Sequence, residues 1–199
     1  MAFPTLTCLD IGADPDRWRA AGVALDTDGR AQIGGITLGV GPGEREGLRA
    51  WGWDGLAAGA TLDGVPVTTM PAGPKLEQPL GLTAVDHVVL ATGDLDRTVS
   101  ALDTAGLDRR RIRDAGKIRQ AFYVAGPALV EVAGPAEPDG GDAALWGITF
   151  VVDDLDAAAA AMGELLGDVR DAVQPGRRIA TVRRDAGLGV PVALMTPRR

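Results

Sequence analysis

Histidine, cysteine and tyrosine each occur once in this chain, the first two as His87 and Cys8. A single cysteine excludes an intrachain disulfide and fits a reducing compartment. Apolar runs of the ~18–20 residues that span a bilayer are missing. The opening Met1-Ala-Phe-Pro-Thr lacks a basic n-region and an apolar h-region, so no secretory signal is expected. Basic charge is also short: 20 Lys and Arg stand against 27 Asp and Glu, a net charge of −7 with the two signs interspersed. That balance argues against nucleic acid or an anionic membrane as partner. The run from Arg109 to Arg113 is the exception, and it reads as a solvated edge strand rather than a phosphate site. Gly34, Gly35 and Gly41 do not follow phosphate-loop spacing and earn no nucleotide role. The expectation is a soluble, cytoplasmic protein.

What is present is a repeat. Apolar residues make up 46% of the chain, enough for a sizeable core. The stretch 86–96 contains the histidine and reads as a strand running into a helix cap. The stretch 146–156 repeats it, with Leu95 on Leu155, Asp94 on Asp154 and His87 on Gly147. Around each copy the chain reads strand, helix, strand, strand, strand. In the first copy the strands are 85–91, 111–113, 118–124 and 129–133. In the second they are 148–152, 169–173, 178–183 and 190–195. Asp94 and Asp153 or Asp154 cap the helices, whose apolar residues keep helical spacing: Leu95, Val99 and Leu102, then Leu155, Ala159, Met162 and Leu166.

The first eighty residues match this pattern weakly. They predict strands at 6–11, 31–40, 48–53 and 65–70, with Asp14-Pro15 starting a short helix. Residues 71–79, rich in proline and polar side chains, read as a linker. Three modules are expected: 1–75, degenerate; 82–135; and 144–199, the last two together forming one domain.

Paired βαβββ units, with Asp86-His87-Val88 on the first strand and Val130-Glu131-Val132 on the last, resemble the vicinal oxygen chelate superfamily. That superfamily includes glyoxalase I, extradiol dioxygenases and the fosfomycin and bleomycin resistance proteins. The resemblance implies an α+β fold in which tandem modules form a curled mixed-sheet cup with helices outside. It also implies metal ligands on the first and last strands of each unit. Carried over, these are His87 and Glu131, while the other two positions fall on Gly147 and Ala193, which cannot bind metal. The implied cofactor is none, or a weakly bound Zn, Ni, Fe or Mn. Glu131 is also the candidate catalytic group, since a carboxylate in an apolar strand is costly unless it serves a cavity.

Strand parity adds candidates for the cup wall. Leu129 and Ala133 share a face with Glu131, and Val85 and Val89 with His87. A two-residue hairpin at Ala125-Gly126 would pair Gln120 with Glu131 and add Phe122. A one-residue slip would present Arg119, Ala121 and Tyr123 instead. Trp146 is a candidate stacking residue, although Trp51, Trp53 and Trp146 all fit a core. Arg178 or Arg183 could meet an anion. Two functions follow: a binding or sequestering module for a small organic ligand, or a metal-dependent lyase, isomerase or dioxygenase. Three units also leave one unmatched, which predicts a homodimer and, in one arrangement, a shared site of two His and two Glu.

Overall fold

The computed structural model describes residues 2–198. Strand β1 (Thr5–Gly12) leads into α1 (Pro15–Ala20). The Asp14 carboxylate caps this helix by accepting the Asp16 N–H at 2.9 Å, and Pro15 fills a first-turn position that needs no N–H. Strands β2 (Arg30–Ile33), β3 (Ile36–Gly41) and β4 (Gly47–Asp54) follow. Gly34 and Gly35 are the two turn residues of the β2–β3 hairpin, with φ of 58° and 92°, so the strand expected over 31–40 is two strands. Such a turn needs positive φ at both positions.

These strands form one sheet in the order β2-β3-β1-β4. Here β1 runs parallel to β3 and antiparallel to β4. Cys8 is buried in β1 directly beneath Gly52, where an added Cβ would lie 2.2 Å from its sulfur. A small hairpin, β5 (Thr61–Leu62) and β6 (Val65–Pro66), turns on Asp63-Gly64. Val67, just beyond it, bridges Trp51 of β4 in parallel. Residues 71–79 form no strand but are tied down. The Pro74 carbonyl accepts the Gln32 N–H, and the Gln78 amide bonds both the N–H and the carbonyl of Ala24.

The second sheet is built from β7 (Leu82–Ala91), β8 (Asp108–Ala115), β9 (Ile118–Ala125), β10 (Ala128–Pro135), β11 (Ala144–Val152), β12 (Arg170–Asp171), β13 (Arg178–Thr181) and β14 (Val192–Met195). Helix α2 (Leu95–Thr104) follows β7, and α3 (Leu155–Met162) follows β11. The Asp94 carboxylate accepts the Arg97 N–H at 3.0 Å, and that of Asp154 accepts the N–H groups of Asp156 and Ala157. These are the expected caps.

The strand order is β12-β13-β14-β11-β7-β10-β9-β8. The first strands of the two repeats, β7 and β11, lie side by side and antiparallel. Each runs parallel to the last strand of its own repeat. The mixed sheet is as expected, but its backbone pairing is an open run ending at β12 and β8, and the expected curled cup is not seen in it. On β10 burial alternates residue by residue, and Val130 and Val132 are fully buried. Leu95, Val99 and Leu102 of α2 are buried in the same core. Leu129, Glu131 and Ala133 face the other way and are half-buried.

Within the N-terminal sheet β4 stands to β1 as β11 stands to β7. The parallel bridge from Trp51 to Val67 mirrors that between β11 and β14. The first eighty residues thus hold a pairing of their own. Within the chain β11 occupies the edge of β7, so the units of 82–135 and 144–199 pair with each other. Among the described residues, no helix is long and apolar enough to cross a membrane.

Candidate functional site

The open face of the larger sheet brings His87 and Glu131 together. They lie on neighbouring parallel strands, two residues apart in register, because Leu129 pairs with His87 and Glu131 with Val89. His87 Nε2 is 4.0 Å from Glu131 Oε2. The Gln120 amide donates to Glu131 Oε1. Gln120 pairs with Ala133 and Phe122 with Glu131, since the hairpin turns on Gly126-Pro127 and not on Ala125-Gly126. The pairing therefore differs by two residues from the expected one, and a shift of two preserves parity. Gln120 and Phe122 stay on the open face, while Ala121 and Tyr123 are fully buried on the other.

A bulge sets the geometry around His87. Thr149 of β11 pairs with His87, but its neighbour Phe150 pairs with Val85, so Asp86 is the extra residue. Alternation breaks there, and Val85 goes into the core with Phe150 rather than sharing a face with His87. The bulge lets the Asp86 carboxylate reach back to its neighbour. Its Oδ2 lies 2.8 Å from His87 Nδ1, and Thr149 Oγ1 lies 3.1 Å from His87 Nε2. The other oxygen of Asp86 accepts from Arg177 Nη1 at 2.7 Å, in a pair whose side chains are 3% and 4% exposed. Burial pushes the Asp86 carboxyl up, but the His87 hydrogen bond and the Arg177 guanidinium outweigh it, lowering its pKa from 3.8 to about 2. Asp86 is thus an anion placed to accept the Nδ1–H of His87, which fixes the ring and turns its Nε2 toward Thr149 and the hollow.

Two hollows open on this face, and both are lined by His87 and Glu131. One, of about 610 Å³, is lined by Phe122, Val124, Leu129 and four arginines: Arg110, Arg111, Arg177 and Arg198. The other, of about 480 Å³, is largely apolar and includes Val89, Ile118, Gln120, Trp146, Gly147, Thr149 and Ala193. Trp146 is thus at the hollow and half exposed, whereas Trp51 and Trp53 are core. Arg178 and Arg183 are elsewhere. Arg178 forms a two-pronged pair with Asp156 of α3, and Arg183 bonds the Leu166 carbonyl. Sequence reasoning missed Arg177, because it closes a loop where no period tells which way a side chain points. Arg110 and Arg111 belong to the run read as an edge strand. That reading is right about the strand, but both residues also line the hollow.

The metal positions can now be tested on the donors present. Gly147 and Ala193 do face the apolar hollow, and they offer no ligand atom. Among the described residues no group of three or more His, Cys, Asp or Glu could hold a metal ion. One imidazole and one carboxylate, beside a neutral amide and a hydroxyl, fall short of the three or four protein ligands such an ion usually takes. The residues do not fit a resident divalent metal.

No family model matches the sequence, and no curated protein does. Solved structures are similar in fold. Methylmalonyl-CoA epimerase from Mycobacterium tuberculosis is 21% identical over 60% of this chain and 91% of its own, with a TM-score of 0.49. A Streptomyces coelicolor methylmalonyl-CoA epimerase is 24% identical over 59% of this chain and 99% of its own, with a TM-score of 0.48. A hypothetical protein from Bacillus halodurans is 14% identical over 58% of this chain and 94% of its own, also at 0.48. The chain resembles the vicinal oxygen chelate proteins in fold. The likeness rests on the two side-by-side βαβββ repeats described above, and it carries no substrate with it.

Proposed function

We propose that the protein binds a small organic molecule on the His87–Glu131 face without a resident metal. The carrying observation is that two hollows, each of a size usual for ligand sites, meet at His87 and Glu131. On this reading the sheet bends enough for β8 and the 174–177 loop to stand around one ligand, since both contribute to the larger hollow. All lining residues of both hollows fall between His87 and Arg198, so residues 82–199 are the binding domain. The test has two parts. A small-molecule library screened by ligand-observed NMR should yield binders that Phe122→Ala and Glu131→Ala weaken while the circular dichroism spectrum is kept. Metal analysis of purified protein should find substoichiometric zinc, nickel, iron and manganese. A full equivalent of metal that disappears in His87→Ala would overturn the reading.

A second reading is favoured by the Asp86–His87 contact. An imidazole oriented at Nδ1, with Nε2 4.0 Å from a carboxylate, is an arrangement for moving a proton to or from a bound carbon acid. Incubation with 2-oxocarboxylates in D2O, followed by proton NMR, tests it. Exchange at the adjacent carbon that is lost in Glu131→Gln is expected. Exchange no faster than the buffer blank across the series would remove it.

A further inference from the structure

The two hollows differ in chemistry, and the difference dictates the shape of what fits. The chain is acidic overall, at −7, yet the larger hollow gathers four arginines. Some of that charge is answered. Arg110 pairs with Asp108 at 3.2 Å, and Arg177 Nη1 pairs with Asp86. The rest is not. Arg177 Nη2 is buried, on a side chain only 4% exposed, and has no hydrogen-bond partner. Buried donors are rarely left so, because an unmade bond costs about as much as desolvating the group. Among the described residues Arg111 forms no ion pair and lies over the Phe122 ring, 4.8 Å from its centroid. Arg198 stands open at the rim, 3.8 Å from Asp86.

The smaller hollow has the opposite character. Trp146 and Ile118 line it and are 56% and 51% exposed, two of the few large apolar side chains left open to water. Exposed apolar groups gathered at a hollow mark a surface that something covers.

We propose that the site selects an amphipathic organic anion. Its carboxylate or phosphate lies among Arg111, Arg177 and Arg198, its apolar body against Trp146 and Ile118, and its junction at His87 and Glu131. The proposal rests on the small-molecule reading above and names the class of ligand.

The experiment measures binding of octanoate, octyl phosphate, 1-octanol, octylamine and acetate to the full chain by calorimetry. One anionic octyl probe at least should bind roughly tenfold more tightly than 1-octanol, octylamine or acetate. Which anion wins separates a carboxylate site from a phosphate site. Arg111→Gln, on an exposed edge strand, should weaken the preferred anion roughly tenfold and leave 1-octanol unchanged. Trp146→Ala should weaken the octyl anion and leave acetate unchanged. Equal binding of 1-octanol and the anions, or indifference to Arg111→Gln, overturns the amphipathic anion and leaves the small-molecule reading standing. Failure of every probe to bind overturns the amphipathic anion, while binders from the library screen would still uphold the small-molecule reading.

Discussion

Asp86 is the residue on which the site's electrostatics turn. It is buried, it orients His87, and it neutralises Arg177. Removing one partner of a buried pair leaves a charge without its counterion, so Asp86→Asn should cost about 3 kcal/mol in urea unfolding. The pH dependence has a definite sign. The folded-state pKa is depressed, so the stabilisation is fully present above the ordinary aspartate pKa near 3.8 and is lost as pH falls toward 2. The contribution is about 2 kcal/mol. Unfolding midpoints measured between pH 2 and 5 should fall in the native protein and lose that portion of the slope in Asp86→Asn. The sequence made Glu131 readable, because a carboxylate between two valines needs a reason. It could not show that Asp86 is a bulge, since one extra residue in a ladder leaves no trace in a period of two. For the same reason Val85 was placed on the wrong face.

Elements were more legible than contacts. Caps followed from Asp14, Asp94 and Asp154, whose carboxylates each meet N–H groups that a helix start leaves unpaired. Asp94→Ala should cost about 1 kcal/mol in thermal or urea unfolding. The Asp63-Gly64 turn gave less warning of its second role. The Asp63 carboxylate grips Arg97 through two oxygens and accepts from Thr98, tying the small hairpin to α2. Aligning the repeats set Gly147 against His87 and Ala193 against Glu131, and all four residues line one hollow. That allows a gain-of-function test. Gly147→His combined with Ala193→Glu should bind zinc roughly a hundredfold more tightly than the native chain, as two donors become four. A Cβ at position 147 comes within 3.1 Å of the Pro191 carbonyl, a contact that a small strand shift must relieve. No gain in affinity, with the fold intact, would show that the four positions do not converge.

At the scale of the molecule the two sheets share one core. Trp18 of α1 is fully buried, packs edge-on against Phe150 of β11, and donates its indole N–H to the Leu188 carbonyl at 3.0 Å. Gly189 comes so near Gly12 that an added Cβ would meet its carbonyl at 2.9 Å. Such a seam predicts one cooperative unfolding transition rather than two. Trp18→Ala should cost about 3–5 kcal/mol and lower the whole transition, not one part of it. Coincident denaturation curves by circular dichroism and tryptophan fluorescence would bear this out, and separated midpoints would refute it. The division at residues 71–79 was plain in composition. The seam was not, because contacts between Trp18 and residues 170 positions later leave no local pattern.

Beneath Gly52 lies the chain's lone sulfhydryl, and burial makes that thiol harder to ionise. A chromogenic disulfide reagent therefore has a single target, and reaches it only when the smaller sheet parts. Its colour, followed over hours in native buffer, is a clock for how often the amino-terminal layer breathes, with no label to install and no background to subtract.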